Sequence, residues 1–491
     1  MDVKSRLSLA ESVIRSGRYK DTWESLAQYE PPKWFRDAKF GVFIHWGVYS
    51  VPAFGSEWYS RNMYIQGSQA YEHHILRYGK HSQFGYKDFI PMFSAEKFNP
   101  EAWMRLIKQS GAKYVVPVAE HHDGFQMYSS ALSRWNAVEM GPKRDVLGEL
   151  FQAARERGLT ACLSSHRLEH WFFMGRGREF DSDVSGSTGR DCLYWPSLPD
   201  PDFNDVLGKM EPPREFMEDW LARTCELIDE YRPALIYFDW WIHHKSVKPW
   251  LRKAAAYYYN RAEEWGREVV INYKYDAFPF GTAVIDVERG QFAGAQPFCW
   301  QSCTSVARNS WCHTQNNSYK SVNELICNLC DIVSKNGCML LNIGPKADGS
   351  IPDEDASILR DIGAWLAING EAIFGSRPWR VSGEGGVKVT GGQFSDCERA
   401  GYTASDIRYM VNNGRLYAVA LGRPEDGRYR FTALRQAESI DNTNAFSGII
   451  KSVSALGRSG PLAWSRDENS LTVRLESESE GYPVVFKFEL E

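Results

Sequence analysis

Pro233-Ala-Leu-Ile-Tyr-Phe-Asp-Trp-Trp241 decides how the rest of the chain is read. Its apolar run, Leu235 to Phe238, stops at one carboxylate, Asp239, and two tryptophans follow. A short uninterrupted apolar run predicts a strand buried on both faces. A carboxylate where such a strand stops lies at the rim of a parallel sheet or barrel, where proteins of that architecture keep their chemistry. The tryptophans set a flat apolar face beside the negative charge. Sugars use that combination, because their C–H faces stack on rings and an oxocarbenium-like transition state is stabilised by a nearby anion. The same residues also fit an aspartate that caps the next element beside two core tryptophans.

Outward from this stretch the pattern repeats. Upstream, Phe40-Gly-Val-Phe-Ile44 ends in His45-Trp46, and Tyr114-Val-Val-Pro-Val118 ends in Glu120-His-His-Asp-Gly124. Leu159 to Ser164 ends near His166. Downstream come Glu268 to Lys274, Ala283 to Glu288, a run near Phe298 to Ser302, and Met339 to Ile343. Helix signals lie between most of them. Asn99-Pro100 opens a helix that Gly111 closes, and Asp145 caps one that Gly158 stops. A helix over Phe216 to Tyr231 leads into the Asp239 strand, and another spans about residues 250–265. Ser321 and Glu324 form a capping box, with a stop at Asn336-Gly337. A last helix runs over about residues 353–368, and the first 35 or so residues read as a helical lead-in. Eight buried strands in this alternation predict a (β/α)8-type barrel over residues 1–375. An open doubly wound sheet would also gather the strand ends. No Gly-rich phosphate loop opens a helix, which argues against a dinucleotide site.

After Phe374-Gly375 the helical periods vanish. Arg408 to Val411, then Asn413-Gly414, then Leu416 to Leu421 is a hairpin signature, and Leu471 to Leu475 and Val484 to Phe488 add further alternating runs. Residues 376–491 therefore read as a C-terminal antiparallel β-sandwich, with structural support as its expected role.

Aromatic residues are 14% of the 491, and 18 are tryptophan, which suits a ring-lined cleft or a large core. A net charge of -5 on this length gives no field for nucleic acid or an acidic membrane. No apolar run approaches membrane-spanning length, and the first ten residues hold no continuous apolar segment of the secretory kind. The ten cysteines are scattered, mostly within apolar patterns, as reduced core thiols of a cytoplasmic protein would be. Cys327-Asn-Leu-Cys330 falls inside a helix pattern with no second pair, so its expected role is structural.

Asp239 and Glu288 are the carboxylates to pair. Retaining glycosidases use two, about 5–5.5 Å apart, one as ionised nucleophile and one as protonated donor. Asp286 and Glu57 are rival acids; Asp286 and Glu288 leave their strand on one face, one nearer the mouth and one deeper. His45, His121, His122 and Asp239 also suggest a metal-dependent barrel hydrolase. Against that, adjacent histidines on a strand point to opposite faces, so neutral imidazoles that bind sugar hydroxyls are preferred and no cofactor or metal is expected. Lys274 at a strand end could hold a hydroxyl or lower a carboxylate's pKa.

With these residues placed, the chain resembles α-L-fucosidases of glycoside hydrolase family 29 from about Trp34 to Trp379. The resemblance rests on Trp34-Phe-Arg-Asp-Ala-Lys-Phe-Gly-Val-Phe-Ile-His-Trp-Gly47, Glu57-Trp-Tyr59, Glu120-His-His-Asp-Gly-Phe125, Phe238-Asp239, Tyr319-Lys-Ser-Val-Asn-Glu324 and Leu340-Leu-Asn-Ile-Gly-Pro345, all in the family's order. It implies an exo-acting, retaining hydrolase of terminal α-L-fucosyl residues, with Asp239 as nucleophile and His45, Glu57, Trp58, His121 and His122 on the sugar. Glu288 is taken as acid/base. Three departures stand out. Asn272-Tyr-Lys-Tyr275 puts Lys274 in place of an arginine contact, Leu163-Ser-Ser165 lacks a usual tyrosine that His166 could replace, and Trp300-Gln-Ser302 carries an amide for a carboxylate. Trp240 and Trp311, with Trp58 and Trp241, are expected to pack on the sugar or its leaving group. The expected partner is a fucosylated oligosaccharide or glycoconjugate; no nucleic acid or membrane is expected, and a homo-oligomer is compatible with a barrel of this size. The alternative is a non-catalytic fucose-binding barrel.

Overall fold

The computed structural model describes residues 1–186, 189–202, 210–396, 401–437, 439, 445–475 and 481–491. The strands β1 (Phe40–Ile44), β2 (Tyr114–Glu120), β3 (Thr160–Ala161), β4 (Leu163–Ser165), β5 (Leu235–Phe238), β6 (Val270–Lys274), β7 (Val284–Glu288), β8 (Trp300–Ser305) and β9 (Gly337–Ile343) form one parallel sheet. They run in the order β1-β9-β8-β7-β6-β5-β4-β2-β3, and β1 also pairs with β2, so the sheet closes. The segments β3 and β4 are two halves of one stave. Both pair with β2, and the register shifts between Val118 and Glu120. The result is the eight-stave barrel that the apolar runs predict.

Every residue of β1, β2, β5, β6 and β9 is buried. Burial on both faces is why these strands read as unbroken apolar runs rather than as alternation. Closure gives β1 a neighbour on each side. Gly41 pairs with Tyr114 on one side and Leu340 on the other. A Cβ at Gly41 would lie 2.4 Å from Cζ of Tyr114, so the buried tyrosine ring fills the space that glycine leaves.

The helices Pro100–Gln109, Val146–Glu156, Arg214–Tyr231, Lys248–Glu264, Val322–Ser334 and Asp353–Ile373 follow the expected pattern. Side chains of Asn99 and Asp145 accept from the amides of Ala102 and Gly148, each at 2.9 Å, as N-cap oxygens do. Ser321 accepts from the Glu324 amide at 3.2 Å, but the Glu324 carboxylate turns to the Arg308 guanidinium, so only the serine half of the expected capping box forms. The lead-in is three short helices, Val3–Ser16, Trp23–Leu26 and Lys33–Ala38. No helix covers the connections from β6 to β7 and from β7 to β8. The outer side of the barrel mouth is therefore open there, and a segment from beyond residue 390 occupies it, bridging Gln291 to Gly392.

The remaining strands are β10 (Arg377–Glu384), β11 (Ile407–Asn412), β12 (Arg415–Ala420), β13 (Arg428–Phe431), β14 (Ile450–Ala455), β15 (Trp464–Arg466), β16 (Leu471–Arg474) and β17 (Val484–Leu490). They make antiparallel sheets of five strands, β10-β11-β12-β17-β14, and of three, β13-β16-β15. The predicted hairpin joins β11 to β12 through Asn413 and Gly414, both at positive φ (48° and 73°), the left-handed pair that a tight two-residue turn requires. Period two then sorts β12. Leu416, Ala418 and Ala420 enter the core between the two sheets, while Tyr417 and Val419 join the barrel's core. No helix among the described residues is long and apolar enough to cross a membrane.

Candidate active site

The C-terminal ends of the staves surround a cavity of about 880 Å³. Of the residues singled out from the sequence, His45, Glu57, Trp58, His121, His122, His166, Asp239, Trp240, Glu288 and Trp311 all line it. Residues nearly 250 positions apart converge because all strands of a parallel barrel end on one side.

Three successive staves stop in the same way. The residues Trp241, Tyr275 and Arg289, just past β5, β6 and β7, have φ of 67°, 50° and 42°. Left-handed backbone at a non-glycine residue costs about 1–2 kcal/mol and persists where surrounding packing enforces it. Of the residues just before these turns, Trp240 and Glu288 line the cavity and Lys274 does not. Arg289 then spans the gap to the next loop. It donates to the carbonyls of Ala307, Arg308 and Ser310 and sits 4.6 Å over the ring of Trp311, which fixes that tryptophan on the cavity wall.

Asp239 is held by imidazoles. Nδ1 of His166 donates to its Oδ2 at 2.8 Å, and Nε2 of His122 stands 3.5 Å from the same oxygen. Burial opposes the carboxylate charge. His166, then His122 and Lys274, overcome it and keep the Asp239 carboxyl well below its ordinary range, so it is ionised at neutral pH. His122 is oriented by a 2.7 Å hydrogen bond from Nδ1 to the carbonyl of His166. Burial alone would push His122 down, but Glu169 and Asp239 hold it up at about 9. His45 gives its Nδ1 proton to Oδ1 of Asn342 at 2.7 Å, which leaves Nε2 as an acceptor. Burial, with neighbouring imidazoles, keeps both His45 and His121 well below the usual histidine range and hence neutral.

The second carboxylate is Glu288. Its Oε2 accepts from Nε1 of Trp240 at 2.7 Å and lies 3.0 Å from Nζ of Lys274. Burial, with the charge of Asp239, raises Glu288 above the ordinary carboxyl range against the pull of Lys274. Asp286 is the deeper of the pair on β7, fully buried. It accepts from Lys274 and from Nε2 of Gln301, each at 2.8 Å. An amide at position 301 suits this place, since it can donate to Asp286 while accepting from the Tyr114 hydroxyl at 3.0 Å. Lys274, expected on the sugar, has no exposure and lies beneath the cavity rather than on its wall. Its charge is taken up by Asp286 and Glu288, so it acts on carboxylates.

His121 and His122 both face the cavity, against the expectation of opposite faces. Strand β2 ends at Glu120, so the alternation of a strand no longer applies to them, and their rings are 4.3 Å apart. Among the described residues two groups could hold an ion: His45, His121 and His166, or His122, His166 and Asp239. His166 belongs to both, and both its nitrogens are engaged, Nδ1 with Asp239 and Nε2 with the Ser164 hydroxyl at 2.9 Å. A metal would have to displace one of these hydrogen bonds.

Several cavity residues were not anticipated. Glu169, in a single turn after the third stave, lines the cavity, and burial pushes its carboxyl up to about 7. Its Oε2 has no hydrogen-bond partner and lies 3.5 Å from His122 Nε2. Its place just past a strand end was the available signal. His243, Tyr275, Asp276 and Phe394 line the outer part. Phe394 belongs to the chain beyond the barrel, and no local pattern points to it.

An eight-stave barrel with an ionised aspartate and a raised glutamate in one aromatic-walled cavity has the build of a glycoside hydrolase. Residues 7–371 match the family model described as Alpha-L-fucosidase, and the chain belongs to that family. It is 32% identical over 488 residues to the tissue alpha-L-fucosidase of Rattus norvegicus, covering 94% of this chain and 90% of that protein. Against the tissue alpha-L-fucosidase of Homo sapiens it is 31% identical over 484 residues, covering 94% and 89%. The crystal structure of the Thermotoga maritima alpha-fucosidase in complex with fucose is similar with a TM-score of 0.76 at 27% identity, over 96% of this chain and 100% of that one. The chain is thus an α-L-fucosidase, an enzyme of the glycoside hydrolase class.

Proposed function

We propose that the enzyme removes terminal α-L-fucosyl units from oligosaccharides or glycoconjugates with retention of configuration, Asp239 acting as nucleophile and Glu288 as acid/base. The observation that carries this reading is the division of labour between two buried carboxylates in one cavity. Imidazoles hold Asp239 ionised, while burial and the Asp239 charge raise Glu288. Asp239 attacks C1 as Glu288 protonates the departing oxygen. The ester that forms cancels the charge on Asp239 and with it one of the causes that raise Glu288. Lys274, 3.0 Å away, then favours the ionised glutamate, which takes a proton from water as the ester is hydrolysed. Cationic His122 stabilises the aspartate as it is released. Neutral His45 and His121, with Glu57, are placed for the sugar hydroxyls, and Trp58 and Trp311 for its C–H faces. Two carboxylates suffice for this chemistry, so the reading needs no cofactor.

We take residues 1–375 as the catalytic barrel with its lead-in and 376–491 as the β-sandwich. The described cysteines are free thiols, most of them buried, which supports a reducing compartment such as the cytoplasm. The fucosylated substrate is the expected partner, and self-association is a question for the enzyme in solution.

The test is release of nitrophenol from its α-L-fucoside by wild type and Asp239→Gly, with and without azide. The mutant should lose roughly a thousandfold or more in kcat, and azide should restore turnover as the inverted β-L-fucosyl azide. Unchanged turnover in the mutant would exclude Asp239 as the nucleophile. A wild type that is inert but thermally stabilised by L-fucose would favour a binding protein instead.

A further inference from the structure

Beyond Glu288 the cavity continues into a second aromatic surface that the chemistry above does not use. The ring of Trp240, whose Nε1 donates to Glu288, lies parallel to Phe394 at 5.9 Å and 15°. It meets Tyr275 edge-on at 4.6 Å and 63°. The Phe394 side of this corner is open, since that residue is 51% exposed while lining the cavity. Asp276, an exposed carboxylate next in the chain to Tyr275, also lines the cavity.

The chain holds Phe394 there against its own preference. Its φ is 57°, left-handed for an aromatic residue. Such a conformation survives only when neighbouring bonds determine it. Those bonds come from β7 and the residues just after it. The Phe394 amide donates to the Glu288 carbonyl at 2.8 Å, and the side-chain oxygen of Gln393 accepts from the Glu288 amide. The amides of Gly392 and Asp396 donate to the carbonyls of Gln291 at 2.9 Å and Arg289 at 2.8 Å. Strained backbone anchored to the acid's own residue, with a large ring left in water at the cavity wall, is the arrangement of a ligand surface.

We infer that Phe394, with Trp240 and Tyr275, forms the platform on which the sugar leaving group binds. The inference rests on the fucosidase reading of the site. Glu288 must reach the glycosidic oxygen, so whatever that oxygen carries lies on the Glu288 side of the cavity, where the platform begins. A pyranose offers a C–H face to the Phe394 ring and hydroxyls to Asp276. Phe394 is therefore a specificity-determining residue supplied by the sandwich portion of the chain.

The experiment compares α-L-fucosyl fluoride, which has no sugar leaving group, with α-L-fucosyl galactose and N-acetylglucosamine disaccharides. Wild type, Phe394→Ala and Phe394→Tyr are assayed for kcat/KM on each. Phe394→Ala should fall about tenfold or more on the disaccharides and stay within about twofold on the fluoride, while Phe394→Tyr keeps most of the disaccharide activity. The fluoride assay is also the control for folding. Equal loss on fluoride and disaccharide, no loss on either, or a wild type that hydrolyses the fluoride and none of the disaccharides would overturn the inference. A wild type inert toward the fluoride would overturn the glycosidase reading itself, and the inference with it.

Discussion

Nζ of Lys274 lies 2.8 Å from Oδ2 of Asp286 and 3.0 Å from Oε2 of Glu288, with no exposure to solvent. One cation thus answers two carboxylates at alternate positions of one strand. In Lys274→Met both would be buried without it. Removing one partner of a buried pair costs about 3–5 kcal/mol, so thermal unfolding should fall several degrees. Glu288 should also rise further, because Lys274 opposes its upward shift. With Glu288 as the proposed donor, protonated for the first step, the alkaline limb of kcat/KM should move to higher pH. A limb that stays in place or moves down would separate Glu288 from that limb. The stability from Lys274 itself has a different window. Its folded pKa is raised, so the contribution is complete below the unfolded value of about 10.4 and is lost only above it, leaving neutral pH unaffected.

Glu288→Gln should divide substrates by leaving group. Glycosides with poor leaving groups should lose about 10²–10⁴-fold in kcat/KM, while activated aryl fucosides retain much of theirs. Azide added to the variant should yield the α-L-fucosyl azide, since it would attack the ester on Asp239 from the face that water uses. A uniform loss across leaving groups would point to Glu169 or Glu57 as the donor.

His122 should titrate as a pair with Glu169. Its value of about 9 stands on Glu169 first and Asp239 second, against burial. Glu169→Gln should move the His122 imidazole down by about a unit or more, read by NMR titration. A folded value above the unfolded one of about 6.5 means that the contribution is complete below pH about 6.5. It is lost as pH rises to 9, by roughly 3 kcal/mol at most. The fall of the thermal midpoint over that window should be shallower in Glu169→Gln. An unchanged slope would show that His122 does not carry it.

Behind the histidines, charges alternate in a buried ring. Arg167 binds Glu120 at 2.6 Å and Asp219 at 2.7 Å, and Arg223 binds the same two carboxylates at 3.1 and 2.9 Å. Glu120 precedes His121, and Arg167 follows His166. Asp219→Asn should destabilise by about 3–5 kcal/mol in urea unfolding, because two guanidinium groups would then share one carboxylate. KM should rise as well, since His121, proposed for a sugar hydroxyl, and His166, which holds Asp239, are chain neighbours of the ring. A change in stability with unchanged KM would confine the ring to packing.

The barrel was legible because its staves are buried on both faces and so appear as apolar runs with polar residues at their ends. The caps at Asn99, Asp145 and Ser321 and the Asn413-Gly414 turn were legible because each depends on a few neighbouring residues. Asp286 and Glu288 were placed on one face by the period of a strand. What escaped depends on distance. Glu169 looks like any glutamate in a helical turn until the fold buries it beside His122. Phe394 reaches the site through hydrogen bonds to Glu288, more than a hundred positions earlier. The depth of Lys274 follows from the inward side of β6, which its sequence alone does not distinguish from the rim. His121 and His122 fall on opposite faces only if the strand continues through them, and β2 ends at Glu120.

The hydrogen bonds between Glu288 and Gln393-Phe394 bear on how such a chain can be rearranged. A shortened version that omits the C-terminal part would leave the backbone of Glu288 to water and remove Phe394 from the cavity wall. Chimeras joined near residue 375 should therefore be judged by turnover as well as by yield of soluble protein.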